Sequence, residues 1–479
     1  MRARYHSPFT VGEPKGHVGY RDRPLHLSPH SEAEEPQKTG SLSERRKVPI
    51  APTEEAVPES ASASAQTATA EFAAVTDMPR ILAALRFRDF RQVWVGNFLS
   101  NVGTWMQNVA QGWLVLQLTG SAFWVGIVSF AAAAPMLVFT LLGGVVADHV
   151  DRRKMLMVAQ YAMMGSALAL AVLTYTHRVH VVHVVALAFV TGLAASMAAP
   201  AQQALVPMLV PRDSLTNAIG LNSAQFNLSR VLGPTIGGFF MAWFGPAGNF
   251  ALNALSFLAL VIALAQLRPL NEAVVDDHST LWEKLTAGFR YVWRHSAMRL
   301  LVLLVCVTAL LGIPYFSFMP VFARNVLHVG ERGLGILMAF SGLGSFFAAL
   351  TIASMGNPRR RGALIALSGT VFFSAVIAFS FSRVFALSAA LQFVSGYAMI
   401  IMVALINTRL QYSAKEEMRG RTMSIYAGAY LGLPPLGSLF AGIMSNWISA
   451  PRAIGLMAAT GLALFLLLFG TQRDLRQLE

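Results

Sequence analysis

Cysteine occurs once in this chain, at Cys306, which excludes an intramolecular disulfide and a thiol-rich metal site. Its setting in an apolar run reads as a small core side chain. Charge is also scarce: 13% of the 479 residues are Asp, Glu, Lys or Arg, against about 25% in soluble domains. Beyond residue 79 the acids are Asp89, Asp148, Asp151, Asp213, Glu272, Asp276, Asp277, Glu283, Glu331, Glu416, Glu417, Asp474 and Glu479, and none falls inside a long apolar run. No Gly-rich loop ending in Lys-Ser or Lys-Thr occurs, so a phosphate cradle of the ATPase kind is excluded. His6, His17, His26 and His30 are too irregularly spaced for a metal site. Nothing supports an enzyme, and no cofactor is expected.

Apolar residues are what the chain has in abundance, at 55% of the sequence with a mean hydropathy of +0.53. Runs long enough to cross about 30 Å of hydrocarbon recur near 92–118, 121–147, 154–175, 181–205, 216–243, 248–267, 300–323, 333–355, 362–381, 384–408, 421–447 and 451–470. The expected fold is therefore an all-α polytopic membrane protein with twelve transmembrane helices. Residues 1–79 are rich in Pro, Ser, Glu and Ala and poor in apolar side chains, a composition that favours disorder. They contain no h-region of a cleaved signal peptide, and Met78 stands beside Met1 as a possible start.

The expected division is a disordered tail at 1–79, a six-helix bundle at 80–267, a linker at 268–299, a second six-helix bundle at 300–470 and a short tail at 471–479. In the linker, Leu281, Leu285, Phe289 and Val292 recur at helical spacing beside Lys284, Arg290 and Arg294, which predicts an amphipathic helix on the membrane surface. Lys and Arg decide the orientation: beyond residue 79, twenty-one fall on the face shared by the linker and both termini, and five (Arg178, Arg324, Arg332, Arg383 and Arg452) on the other. The excess places both termini in the cytoplasm. The basic balance, +13 overall, is thereby assigned to loops and not to nucleic acid.

The two halves repeat each other in order. Gly126-Ile127-Val128 returns as Gly335-Ile336-Leu337, Arg152-Arg153 as Arg360-Arg361, Phe189-Val190-Thr191-Gly192 as Phe393-Val394-Ser395-Gly396, and Gly233 and Gly238 as Gly437 and Gly442. Two similar bundles can rock about a site between them; duplication for packing alone is the competing reading.

The most charged short turn joins the second and third spans as Gly143-Gly-Val-Val-Ala-Asp-His-Val-Asp-Arg-Arg-Lys154. Its pattern of Gly144, Asp148, Arg152 and Arg153 resembles the loop between helices 2 and 3 of major facilitator superfamily transporters, with His149 and Asp151 as departures. The Asp-Arg-Arg form is similar to the branch of enterobactin exporters and transmembrane secretion effectors. The second copy keeps Arg360 and Arg361 and has no matching acid. The fifth span carries Gly220, Gly233, Pro234, Gly237 and Gly238, with Ser229 in place of a further glycine. This is similar to the signature of antiporter-type members and implies export, though close helix packing alone would also use these residues.

Polar residues inside spans are the candidates for a substrate path. Asn97, Asn101, Thr104, Asn108 and Gln111 fall on one face of the first span, where polarity suits a watered cavity; some of them can equally bond between helices. Asn222, Gln225 and Asn227, with Gln203 and Asn407, are weaker candidates. Arg230 lies mid-span, where a guanidinium is expensive and normally kept for a reason. Two readings stand for it: bonding to protein groups as a structural arginine, or binding an anionic substrate. His149, His177, His180 and His183 lie near span ends.

The resemblance implies a multi-pass transporter of a bacterial inner membrane, a monomer in the lipid bilayer with a small-molecule substrate and protons as partners. It implies proton-driven export, and the arginine adds an anionic, siderophore-like substrate. A multidrug exporter or uptake permease of the same superfamily is the alternative, and a non-transporting membrane sensor or assembly factor is the alternative from another class.

Overall fold

The computed structural model describes residues 80–149, 151–267, 281–355 and 361–471. The expected disordered tail at 1–79, the tail from 472 and Arg359-Arg360 lie outside the described residues. A short 3-10 turn, Arg80–Arg86, leads into α1 (Arg88–Thr119), followed by α2 (Ala122–His149), α3 (Arg152–Tyr175), α4 (Val181–Leu205) and α5 (Leu215–Ala265). The linker helix α6 is Leu281–Arg294. Then come α7 (Ser296–Val326), α8 (Gly330–Met355), α9 (Arg361–Phe381), α10 (Phe385–Ser413), α11 (Glu416–Ile448) and α12 (Ala450–Thr471). No strand occurs among the described residues.

Nine helical segments among the described residues are long and apolar enough to cross a membrane. One of them contains α5, whose 51 residues would extend about 75 Å at 1.5 Å per residue, far more than a bilayer core of about 30 Å. It therefore folds back, and the fold is at Gly245, with φ 66° and ψ −178°, a conformation essentially restricted to glycine. Pro246 opens the returning limb, where its missing N–H costs nothing. Across the bend, the Asn249 side-chain amide donates to the Gly237 carbonyl at 2.9 Å.

α7 is irregular for a sequence reason. Pro314 and Pro320 each remove a backbone donor, and the helix passes through π turns at Thr308–Gly312 and Phe322–Val326 and a 3-10 stretch at Ile313–Phe318. Such interruptions within a helix are frequent at functional positions. The outer surfaces of the helices are apolar as well as the inner ones: Val158, Trp243 and Phe244 are among the large hydrophobics left exposed, as expected where lipid is the solvent.

The repeat seen in the sequence is repeated in the packing. A Cβ at Gly192 would run into the Ala132 carbonyl, and one at the matching Gly396 into the Ser341 carbonyl. Gly233 lies against Val102 of α1, and the matching Gly437 against Leu310 of α7. Between the halves, Gly126 of α2 meets Gly442 of α11, and Gly335 of α8 meets Gly238 of α5. Those four glycines are two pairs of repeat equivalents, so the halves touch through two related crossings. Both crossings lie toward the end of the bundle that carries the turns at Gly120, Gly245, Gly330 and Ser449, all with positive φ.

Candidate functional site

Between the halves lies a cavity of about 240 Å³. Its walls come from α1 (Trp105), α5 (Arg230, Val231, Pro234), α7 (Tyr315, Phe316, Ser317), α8 (Met338, Ser341, Ser345), α10 (Met399) and α11 (Tyr430, Pro434, Pro435). Apart from Arg230 the lining is neutral, rich in aromatic rings and methionines, and holds no carboxylate.

Arg230 reaches across from the first half to the second: its Nη1 donates to the Tyr430 hydroxyl at 2.9 Å. Tyr430 stacks on Tyr426 one turn earlier in α11, with ring centroids 6.0 Å apart and planes within 3°. Asn407 of α10 lies near Tyr426, and its side-chain oxygen accepts from Gln411 at 2.7 Å. Polar groups of α5, α11 and α10 thus lie near one another beside the cavity. On the opposite wall the Tyr315 hydroxyl pairs with Ser395 of α10 at 3.1 Å.

Of the residues singled out from sequence, Arg230 and Pro234 line this cavity. The polar face of α1 is distributed differently. Asn97 is buried and donates to Gln225 of α5 at 3.0 Å. Thr104 bonds back to the Ser100 carbonyl at 2.8 Å, Gln111 is buried, Asn101 is half-buried and Asn108 is exposed. Asn222 is half-buried, Gln203 and Asn227 are exposed, and Asn227 bonds the Ser223 carbonyl at 2.9 Å. The α1 residue in the cavity wall is Trp105, next to Thr104 and off the polar face. Trp105, Tyr315 and Tyr430 carry no mark in the sequence that points to a cavity, because aromatic residues in an apolar span suit lining and core alike.

The glycines of α5 act as contact surfaces. A Cβ at Gly237 would lie 2.9 Å from the Met106 Cα, so Gly233 and Gly237 let α1 approach. Gly238 does the same for α8, while Gly220 has open space around it. Pro234 is buried in the helix interior.

In the loop between α2 and α3, the side chains of Gly144, Asp148 and His149 lie outside the described residues. Asp151 caps α3, its Oδ1 accepting from the backbone N–H groups of Arg153 at 2.9 Å and Lys154 at 3.1 Å. Arg153 donates to the carbonyls of Ala265 at 2.7 Å and Leu267 at 3.1 Å, where a cation offsets the negative end of the α5 return limb. Arg152 reaches the Met208 sulfur at 3.5 Å. In the second copy, Arg361 lies over the Tyr412 ring, 5.6 Å from its centroid.

Comparison with known proteins agrees with this architecture. Residues 80–479 match the family model described as transmembrane secretion effector. The multidrug efflux pump Tap of Mycolicibacterium fortuitum is 30% identical over 357 residues, covering 72% of this chain and 87% of the relative. The enterobactin exporter EntS of Citrobacter koseri is 27% identical, covering 81% and 93%. The staphyloferrin A transporter of Staphylococcus aureus is 23% identical, covering 79% and 95%. Among solved structures, an inward-facing, unoccupied bacterial homologue of the human lysosomal transporter Spinster superposes with a TM-score of 0.64 at 15% identity, over 84% of this chain and 99% of that one. The nucleoside transporter NupG superposes with a TM-score of 0.63 at 12% identity, over 80% and 98%, so the likeness in both cases is one of fold. A polytopic helical bundle with a cavity between two repeated halves, in a chain matched from residue 80 to its last residue, belongs to the transmembrane secretion effectors of the major facilitator superfamily, which are membrane transporters and not enzymes.

Proposed function

We propose that this transporter exports a small amphipathic organic anion from the cytoplasm by alternating access, driven by the proton gradient. The observation that carries the reading is the Arg230–Tyr430 hydrogen bond across the two halves, at the wall of a cavity whose other lining groups are neutral. In a low-dielectric cavity a lone guanidinium attracts an anion far more strongly than it would in water. Its planar fork suits paired carboxylate or catecholate oxygens, while Trp105, Tyr315 and Phe316 offer ring faces to an aromatic body. An arriving anion would compete with Tyr430 for Arg230 and so loosen a link between the halves. Two relatives whose names specify siderophores support this class.

A multidrug reading has its own supporting observation. Met338, Met399, Phe316 and Trp105 give the cavity an adaptable apolar lining, and flexible methionine surfaces accept varied partners. The test is uptake into inverted vesicles energised with a proton gradient, with a radiolabelled catecholate siderophore and a lipophilic cation as probes. Wild-type accumulation of the catecholate, abolished by Arg230→Gln and weakened by Arg230→Lys, supports the anion reading. Accumulation of the cation alone overturns it in favour of the multidrug one.

A further inference from the structure

The linker helix α6 presents more apolar surface than the protein covers. Val292 is buried and Gly288 packs on α11, where a Cβ would meet the Arg421 Cβ at 3.1 Å and the Ile425 side chain at 3.3 Å. The Tyr291 hydroxyl accepts the Lys415 backbone N–H at 3.1 Å, the residue that opens α11. Next to this docked face, and still on the apolar arc, Phe289 and Trp293 are 53% and 44% exposed, stacked with ring centroids 5.0 Å apart. Arg290 and Arg294 follow on the adjoining face, both exposed. Arg299 holds the end of the helix by donating to the Trp293 carbonyl at 3.3 Å.

We propose that α6 is a binding surface for anionic phospholipid headgroups. At 100° per residue, Phe289 and Trp293 form one stripe and Arg290 and Arg294 the next, which is the order a helix needs to sink rings to the acyl boundary while guanidinium groups stay with the phosphates. Its protein-facing side already rests on α7 and α11, whose other ends lie in the bilayer, so the free side has the membrane surface as its neighbour. The charged groups of the free side are Arg290 and Arg294, while Arg421 of α11 borders the docked side and Glu416 and Glu417 open that helix. Lipid contact would hold α6 in place, and through Tyr291 at Lys415 and Gly288 at Arg421 and Ile425 it would hold the opening turns of α11, the helix that carries Tyr430.

The test uses the full chain in nanodiscs of phosphatidylcholine, with and without phosphatidylglycerol, and reads amide hydrogen exchange over 286–294 and at Lys415. The expected result is that phosphatidylglycerol slows exchange at both at least threefold, that 0.5 M salt removes the slowing, and that R290Q/R294Q abolishes it while R290K/R294K retains it. Equal exchange in both lipids for the wild type overturns the proposal, as does a response that survives in R290Q/R294Q. Slowing reproduced by inorganic phosphate in pure phosphatidylcholine also overturns it, since the site would then be one for a soluble anion. Because no substrate is used, the outcome is independent of what the transporter carries.

Discussion

Arg230 and Tyr430 come from different halves, so on the proposed mechanism their bond bears on the coupling of the halves more than on the stability of either one. Hydrogen bonds between membrane helices contribute on the order of 0.6–2 kcal/mol. Tyr430→Phe, which removes the acceptor and leaves the ring, should therefore change the apparent affinity for a transported anion by about three- to thirtyfold, measured as the half-saturating concentration in vesicles. Unchanged affinity would reduce the bond to a packing detail. Asp151 offers a contrast, since it caps α3 and touches no cavity group. Asp151→Ala should cost about 1 kcal/mol, seen as a lower thermal midpoint of the purified protein with transport intact; lost transport would give this aspartate a gating role instead.

Among the elements, α5 shows most directly how backbone chemistry places function. Its bend needs a residue at φ 66°, and an alanine there carries a strain of about 1–3 kcal/mol. Gly245→Ala should lower the thermal midpoint and cut the yield of folded protein, and a midpoint equal to wild type would mean that the turn relaxes freely. The glycine crossings between α2 and α11 and between α5 and α8 belong to this scale too. A Cβ at Gly126 would lie 3.0 Å from the Gly442 Cα, closer than packed carbons tolerate, so Gly126→Val should drive the halves apart at this end. Spin labels at Ser121 and Asn446, which both line a pocket at this end, should then gain a longer-distance population. An unaltered distribution would show that the crossing does not hold the halves together at this end.

For the molecule as a whole, the Lys and Arg distribution predicts that residues 178 and 359 belong to opposite membrane faces. With Cys306 replaced by serine, Arg178→Cys should react with an impermeant thiol reagent added outside cells and Arg359→Cys should not; the reverse pattern would invert the orientation drawn from the Lys and Arg distribution.

Helix positions were legible because hydrocarbon imposes one rule, that every backbone group be satisfied within its own span, and a rule that strict writes itself into the length and apolarity of each run. The two-half organisation was legible for a related reason: glycines at helix crossings, such as Gly192 and Gly396, tolerate no substitute with a Cβ, so both copies of the repeat keep them. Of the polar residues expected along a path, Arg230 stands in the cavity wall, and its charge in an apolar run is what marked it in the sequence. Its partner Tyr430, and Trp105 and Tyr315 beside it, became visible through the tertiary structure, because an aromatic side chain suits lipid, core and cavity alike. The same holds for the polar face of α1, where spacing alone put Asn97 and Asn108 together, while the neighbouring helix gave Asn97 a buried partner in Gln225 and left Asn108 exposed. Which face a span shows to lipid, to another helix or to the path depends on the neighbours packed around it, and only the tertiary packing within and between the halves decides that.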